Sequence, residues 1–226
     1  MSNAEVALIL AASGSGSRFG AEIPKQFLSF EGRPLYLHSL ERFSDSVGSA
    51  VLVVPADWVE RVREEVRSRR APRICVIAGA QTRHGSVERG LYALGPEVEF
   101  VLVHDAVRPF VSPALVGKVS EGMRRFDACI PVLPVSDTVK EIADGAVVRT
   151  IPRESLGLAQ TPQGFHVALL RRAFEQSRAD GVLGTDEASL VERLGARVHV
   201  VPGDPDNAKI TWRRDLPGLT PPPVLS

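Results

Sequence analysis

Lysine is scarce in this chain. Only Lys25, Lys118, Lys140 and Lys209 occur, against 23 arginines. Lysine is a compact point charge and arginine a planar fork, so each lysine asks for a reason. Neither sign of charge is in excess, since Lys+Arg and Asp+Glu both number 27. That argues against tight nonspecific nucleic-acid binding, and any bound anion has to be held by a few placed cations. Cysteine is nearly absent too: Cys75 and Cys129 show no framework spacing, and the five histidines are scattered. A disulfide scaffold and a zinc centre are thereby excluded. Both cysteines lie in apolar strand-like runs and are expected to be buried free thiols. No apolar run approaches the ~20 residues that cross a bilayer. The polar start MSNAE lacks the pattern of a signal peptide. A cytoplasmic protein without a membrane partner is expected.

What is present is a regular alternation. With 226 residues, 44% of them hydrophobic, the chain is long enough for one well-cored domain. Val6–Ala12, Ala50–Val54, Arg73–Ala78, Phe100–His104 and Ala128–Leu133 read as buried strands. Pro34–Phe43, Trp58–Arg70, Arg83–Leu94 and Pro113–Arg124 between them read as helices. This order predicts an α/β fold, a mostly parallel sheet with helices on both faces. Such sheets take ligands at the carboxyl ends of their strands.

The alternation breaks at Asp137–Ile151, DTVKEIADGAVVRTI, where two β-prone halves flank Asp144-Gly145. The spacing predicts a hairpin arm over about 136–152 that projects from the sheet. An isolated hairpin is marginal in water, so the arm is expected to pack on something, a second subunit being one candidate. Helices over Val167–Ser177 and Asp186–Leu194 and a strand over Val198–Val201 follow, with Thr185 read as the N-cap of the second helix. The chain thus reads as a single domain over 1–216 with a Pro-rich, disordered tail over 217–226.

Five segments carry chemistry. The loop AASGSGSRFG after the first strand sets Gly14, Gly16 and Gly20 beside Arg18, with Lys25 soon after. Glycines let backbone N–H groups close on an anion. The loop is neither a Walker A motif nor a dinucleotide fingerprint. A plain strand-to-helix turn explains it as well, but two cations beside PKQ favour a phosphate. HDAVRPF places Asp105 and Arg108 just past a strand. There the aspartate can hold Mg²⁺ or an acceptor hydroxyl and the arginine a phosphate, or the two can simply close a turn. AGAQTRHGSV offers Ser86 and nearby N–H groups to a base edge, or merely caps a helix. GDPDNAKIT presents Asp206 and Lys209, or is a surface turn, and RESLGLAQTPQGF presents Arg153 just after the hairpin, or merely a solvated arm residue.

Taken in order, AASGSGSRFG, PKQFL, GA-x-TR-x-x-SV, HDAVRPF, DTVK, AQTPQGF, GTDEAS and DNAKIT resemble the 2-C-methyl-D-erythritol 4-phosphate cytidylyltransferase family, from Val6 to about Leu216. The resemblance implies a Rossmann-like nucleotide-diphosphosugar transferase fold, with CTP and a polyol phosphate as substrates. It also implies Mg²⁺ and a homodimer joined through the hairpin arm. By resemblance the catalytic cations fall on Arg18, Lys25, Arg153 and Lys209. Nucleotide contacts fall on Ala11, Ala12, Ser13, Gly14 and Gly16, and on Gly79, Ala80, Gln81 and Ser86. Asp105, Arg108, Thr138, Thr185 and Asp206 fall on the acceptor side, with Asp105 also the metal candidate. Ala80 departs from the family, which often has glycine there; its methyl would crowd a closely held cytosine. A ribitol 5-phosphate cytidylyltransferase and a CTP-binding module without turnover are the alternatives. The chain ends soon after DNAKIT, so no fused second enzyme is expected.

Overall fold

The computed structural model describes residues 3–14, 23–68, 72–216 and 218. The strands in chain order begin with β1 (Val6–Ala11), a two-residue pair β2 (Ser29–Phe30) and β3 (Arg33–Pro34), β4 (Ser49–Val54), β5 (Arg73–Ala78) and β6 (Phe100–Asp105). They continue as β7 (Ala128–Pro134), β8 (Val139–Ala143), β9 (Ala146–Ile151), β10 (Gly157–Ala159), β11 (Gln163–His166) and β12 (His199–Pro202). The helices are α1 (Leu35–Glu41), α2 (Val59–Val66), α3 (Arg83–Tyr92), α4 (Pro113–Phe126), α5 (Val167–Asp180) and α6 (Glu187–Arg193).

The main sheet runs β7, β11, β6, β1, β4, β5, with β10 and β12 also paired to β7. β6, β1, β4 and β5 are mutually parallel, as are β7 and β12. β10 and β11 run antiparallel to their neighbours, and neither strand is expected from the sequence. Their residues GLA and QGFH are short, glycine-bearing and separated by Gln160–Pro162, so no apolar run marks them.

The central strands are apolar throughout because both faces are covered. Along β1 the alternation is clean: Leu8 and Leu10 join one core with Leu40, Phe43 and Val116, while Ala7 and Ile9 join the other with Leu91 and Phe174. Helix starts are locally encoded. Thr82 caps α3, its hydroxyl accepting from Gly85 N at 3.0 Å. Ser112 caps α4, with Pro113 in the first turn. The N-cap of α6 is Asp186, not Thr185: Asp186 accepts from Ser189 N at 3.0 Å, and Ser189 reaches back to complete a capping box. A carboxylate accepts an N–H at least as well as a hydroxyl, and the Ser189 partner decides between them.

The arm forms as expected. Among the described residues β8 and β9 pair only with each other, and Asp144 (φ 50°) and Gly145 (φ 76°) make the turn. Two successive positive φ values fit the twist of a tight hairpin. Cys129 is buried, but Cys75 is exposed, because β5 is an edge strand. The tail beyond 218, like Gly16, Arg18 and Gly20, lies outside the described residues. Among the described residues no helix is long and apolar enough to cross a membrane.

Candidate active site

Parallel register brings the carboxyl ends of β5, β4, β1 and β6 side by side, with Ala11 opposite Asp105. The loops leaving β1 and β5 touch. Gly79 makes this possible: a Cβ there would lie 2.4 Å from Ser13 Cβ. Ser13 Oγ donates to Ser86 Oγ at 2.7 Å, which also accepts from Ala80 N at 2.9 Å and donates to Thr82 O at 2.8 Å. Ser86 is fully buried. Its hydroxyl therefore holds the two loops together, and Ala80 and the exposed Gln81 lie at their rim. Ala12 is buried and Ala11 half-buried. Gln26 fixes the β1 exit, its amide donating to Ala12 O at 2.6 Å and Gly14 O at 2.9 Å. It is 2% exposed.

The charged centre lies at the end of β6. Asp105 Oδ1 accepts from Arg83 Nε at 3.0 Å, and Oδ2 from Lys209 Nζ at 2.6 Å. Arg83 in turn grips Glu187 with both terminal nitrogens, at 2.8 and 3.0 Å. Burial alone would raise the Asp105 carboxyl, but Arg83, then Lys209 and Arg108, hold it well below the usual carboxylate range. Burial pushes Glu187 up against the pull of Arg83. Burial also opposes the charge on Arg83, yet Glu187 and then Asp105 outweigh it and push its pKa up.

Further hydrogen bonds lock the turn behind these charges. Asp105 N donates to Thr161 Oγ1 at 3.1 Å, and Thr161 Oγ1 lies 3.0 Å from His104 Nδ1. His104 Nε2 lies 3.1 Å from Arg108 O. A carbonyl can only accept, so Nε2 carries the proton and Nδ1 accepts from Thr161. Burial depresses the imidazole to about 4 and keeps it neutral. Arg108 Nη1 donates to Asn207 O at 2.7 Å, and Asn207 Nδ2 donates to Thr161 O at 2.7 Å.

Lys25 arrives from the other end of the chain. Its Nζ donates to Ile210 O at 2.9 Å, one residue past Lys209. Thus Lys25, Lys209, Asp105 and Arg108 converge, together with the Ser13 and Gly79 loops. The remaining expected residues stand apart. Thr138 and Arg153 are exposed at the base of the arm, where Arg153 donates to Ser136 O. Among the described residues no hydrogen bond or ion pair links them to Asp105. Thr185 is exposed just ahead of α6, and Asp206 is exposed in a turn where its N–H donates to Asp204 at 3.0 Å.

Sequence reasoning missed Gln26, Arg83, Thr161, Glu187 and Asn207. All five lie inside the motifs quoted above, and that is the signal that marks them. Among the described residues no group of three His, Cys, Asp or Glu could hold a metal. Asp105 is the carboxylate placed for one. It stays ionised, and each oxygen has one cationic partner, leaving a second lone-pair direction. A lone carboxylate of this kind fits a hard cation whose other ligands are phosphate oxygens and water.

The chain's relatives point the same way. The family model described as 2-C-methyl-D-erythritol 4-phosphate cytidylyltransferase (IspD) matches residues 6–218. A protein of that name from Acidobacterium capsulatum is 45% identical over 224 residues, 93% of this chain and 94% of its own. One from Solibacter usitatus is 43% identical over 226 residues, 94% and 93% of the two chains. Among solved structures, 2-C-methyl-D-erythritol 4-phosphate cytidylyltransferase from Thermus thermophilus aligns with TM-score 0.77 and 37% identity, covering 93% of this chain and 95% of that one. The 4-diphosphocytidyl-2C-methyl-D-erythritol synthase from Anaerococcus prevotii aligns with TM-score 0.83 and 31% identity, covering 95% of each chain.

Proposed function

The chain belongs to the 2-C-methyl-D-erythritol 4-phosphate cytidylyltransferase family, and from that premise we propose that it transfers a cytidylyl group from CTP to 2-C-methyl-D-erythritol 4-phosphate. The products are CDP-methylerythritol and pyrophosphate, in isoprenoid precursor biosynthesis. The observation that carries this reading is the convergence of Lys25 and Lys209 on one segment beside Asp105.

The chemistry asks little of acid–base groups. An acceptor phosphate oxygen attacks the α-phosphorus of CTP and pyrophosphate leaves in line. The nucleophile is already an anion, so the barrier lies in gathering polyanions and stabilising the charge that develops. Positioned cations lower such a barrier. Lys25 and Arg18 hold the triphosphate and the developing charge, and Lys209 and Arg153 orient the acceptor phosphate. Asp105 accepts from an acceptor hydroxyl, and Arg108 and Thr138 border the same side with Thr185 and Asp206. The loops at Ala11–Gly14 and Gly79–Gln81 receive the cytidine, held in place by Ser86. Asp105 would help hold a divalent cation, Mg²⁺ in our reading, and that cation would supply neutralisation of the phosphate charge.

The arm supports a homodimer. Ile142, Val147 and Val148 are 66%, 59% and 57% exposed, more apolar surface than a two-stranded hairpin leaves in water without a partner. Arg153 at its base would then serve the partner's site. We place the enzyme in the cytoplasm.

The test is pyrophosphate release, with CTP against other nucleoside triphosphates and with Mg²⁺ present or chelated. Release is expected only with CTP, Mg²⁺ and 2-C-methyl-D-erythritol 4-phosphate. Faster release with ribitol 5-phosphate, or CTP binding with no release for either acceptor, would overturn the reading.

A further inference from the structure

We propose that Arg83 is a positioning residue that fixes the Asp105 carboxylate for the acceptor. The inference rests on the cytidylyl-transfer reading above, and it assigns a role to an ion pair that the mechanism leaves unused.

Arg83 makes its contacts in two directions. Nε holds Asp105 Oδ1 at 3.0 Å, and the other two nitrogens hold both oxygens of Glu187. With Oδ1 pinned from one side and Oδ2 held by Lys209 at 2.6 Å on the other, the plane of the carboxylate is set. Glu187 is itself anchored. It sits in the first turn of α6, whose N-terminus is clamped by Gln163: the amide donates to Asp186 Oδ2 at 2.7 Å and accepts from Ala188 N at 3.2 Å. On the opposite flank, Ser86 lies three residues after Arg83 in α3 and joins the β1 and β5 loops. One helical turn thus carries the residue that aims Asp105 and the residue that seats the nucleotide loops.

Stability is a poor reason for such a pair. Buried ion pairs are often no more stabilising than apolar groups of the same volume. Glu187 is 2% exposed and Asp105 8%. A fork that bridges two buried carboxylates is a costly way to fill space and an effective way to set an angle.

The experiment is steady-state kinetics for both substrates on Arg83→Gln/Glu187→Gln. This double variant removes the charges together and leaves no isolated buried ion. The expected result is a thermal midpoint near that of the wild type and a CTP KM changed less than about twofold. The acceptor KM should rise about tenfold or more, the loss of one charge-assisted hydrogen bond's worth of orientation. Arg83→Lys keeps the charge without the fork and should show the same split. It also serves if the double variant does not fold. An acceptor KM equal to wild type in a folded variant would overturn the proposal, and so would equal rises in both KM values. A wild-type enzyme inactive on every acceptor would instead overturn the reading of function, and this inference with it.

Discussion

Two arginine–glutamate pairs mark opposite ends of this molecule's physical range. Arg83–Glu187 lies at the carboxyl end of the sheet, with side chains 31% and 2% exposed; Arg149–Glu141 spans the arm, with side chains 68% and 46% exposed. The chemistry of the pairs is the same and their surroundings are not. In the first, water is largely excluded and every nitrogen that reaches a carboxylate fixes a direction. In the second, solvent screens the charges and competes for both partners. The core end of the protein is therefore where charge carries geometry, and the arm is where charge merely keeps a strand pair soluble. Perturbing each pair in turn sharpens this contrast.

The largest effect is expected from Arg83→Ala. It leaves Glu187 buried without its cation, a change that typically costs about 3–5 kcal/mol. Urea denaturation at neutral pH measures it. A loss below about 1 kcal/mol, the range of an exposed pair, would mean that water enters beside Glu187, and the contrast with the arm would collapse. Lys25→Ala should act on rate instead. Its ammonium donates to the backbone carbonyl of Ile210, and the variant is expected to fold, while kcat falls roughly a hundredfold, about 3 kcal/mol of lost charge stabilisation. Near-normal turnover would reduce Lys25 to a surface cation.

Next comes the neutral histidine behind Asp105. His104 is held at about 4, below its ordinary value of 6.5, chiefly by burial. Between those values the folded chain holds the ring neutral while the unfolded chain protonates it. The unfolded state therefore binds more protons, and stability falls as the pH drops from 6.5 towards 4. The loss reaches about 3 kcal/mol once the folded value is passed. His104→Gln does not titrate, so in metal-free buffer it should lose less stability than wild type between about pH 7 and 4.5, by about 2–3 kcal/mol. Parallel losses in the two proteins would show that the ring protonates without penalty.

The same contrast explains what the sequence makes legible. β1, β4 and β6 are covered on both faces, so their apolar runs announce them; the arm announces itself by Asp144-Gly145, because only a tight hairpin needs two successive positive φ values. Lys25 and Lys209 are conspicuous in a chain that otherwise uses arginine. Arg83 and Glu187 are not, since an arginine and a glutamate in the first turns of two helices look like solvated residues until tertiary packing sets one against the other. Cys75 is misjudged for a related reason. Its strand is apolar enough for an interior place, but sheet order puts it at an edge. β10 and β11 are built largely from Gly, Gln and Ala in register with β7, and register is a property of the partner strand as much as of their own residues.

Mixing two inactive proteins tests the arm's part in the site. If Arg153 acts in the partner's site, Lys25→Ala and Arg153→Ala chains placed together form mixed dimers in which one site holds both defects and the other none. Random pairing then restores about a quarter of wild-type activity. No recovery, with mixed dimers shown by mass, would return Arg153 to its own subunit.

The smallest effect belongs to Arg149→Ala, and it bears on the arm most directly. An exposed cross-strand pair contributes well under about 1 kcal/mol, and among the described residues Glu141 is the partner that Arg149 holds. The thermal midpoint should stay within a few degrees of wild type, and salt at about 0.5 M should narrow that small difference, because an exposed ion pair weakens as salt screens it. The measurement is made at two protein concentrations, one low and one high enough for the proposed dimer to form. Only the pair's surroundings differ between them. A midpoint loss that appears at the high concentration alone would mean that a second chain covers the Glu141–Arg149 face, leaving Glu141 partly buried without its cation. The arm's pair would then behave like the one at the sheet's carboxyl end, and the boundary between the two regimes would be set by assembly rather than by the fold of one chain.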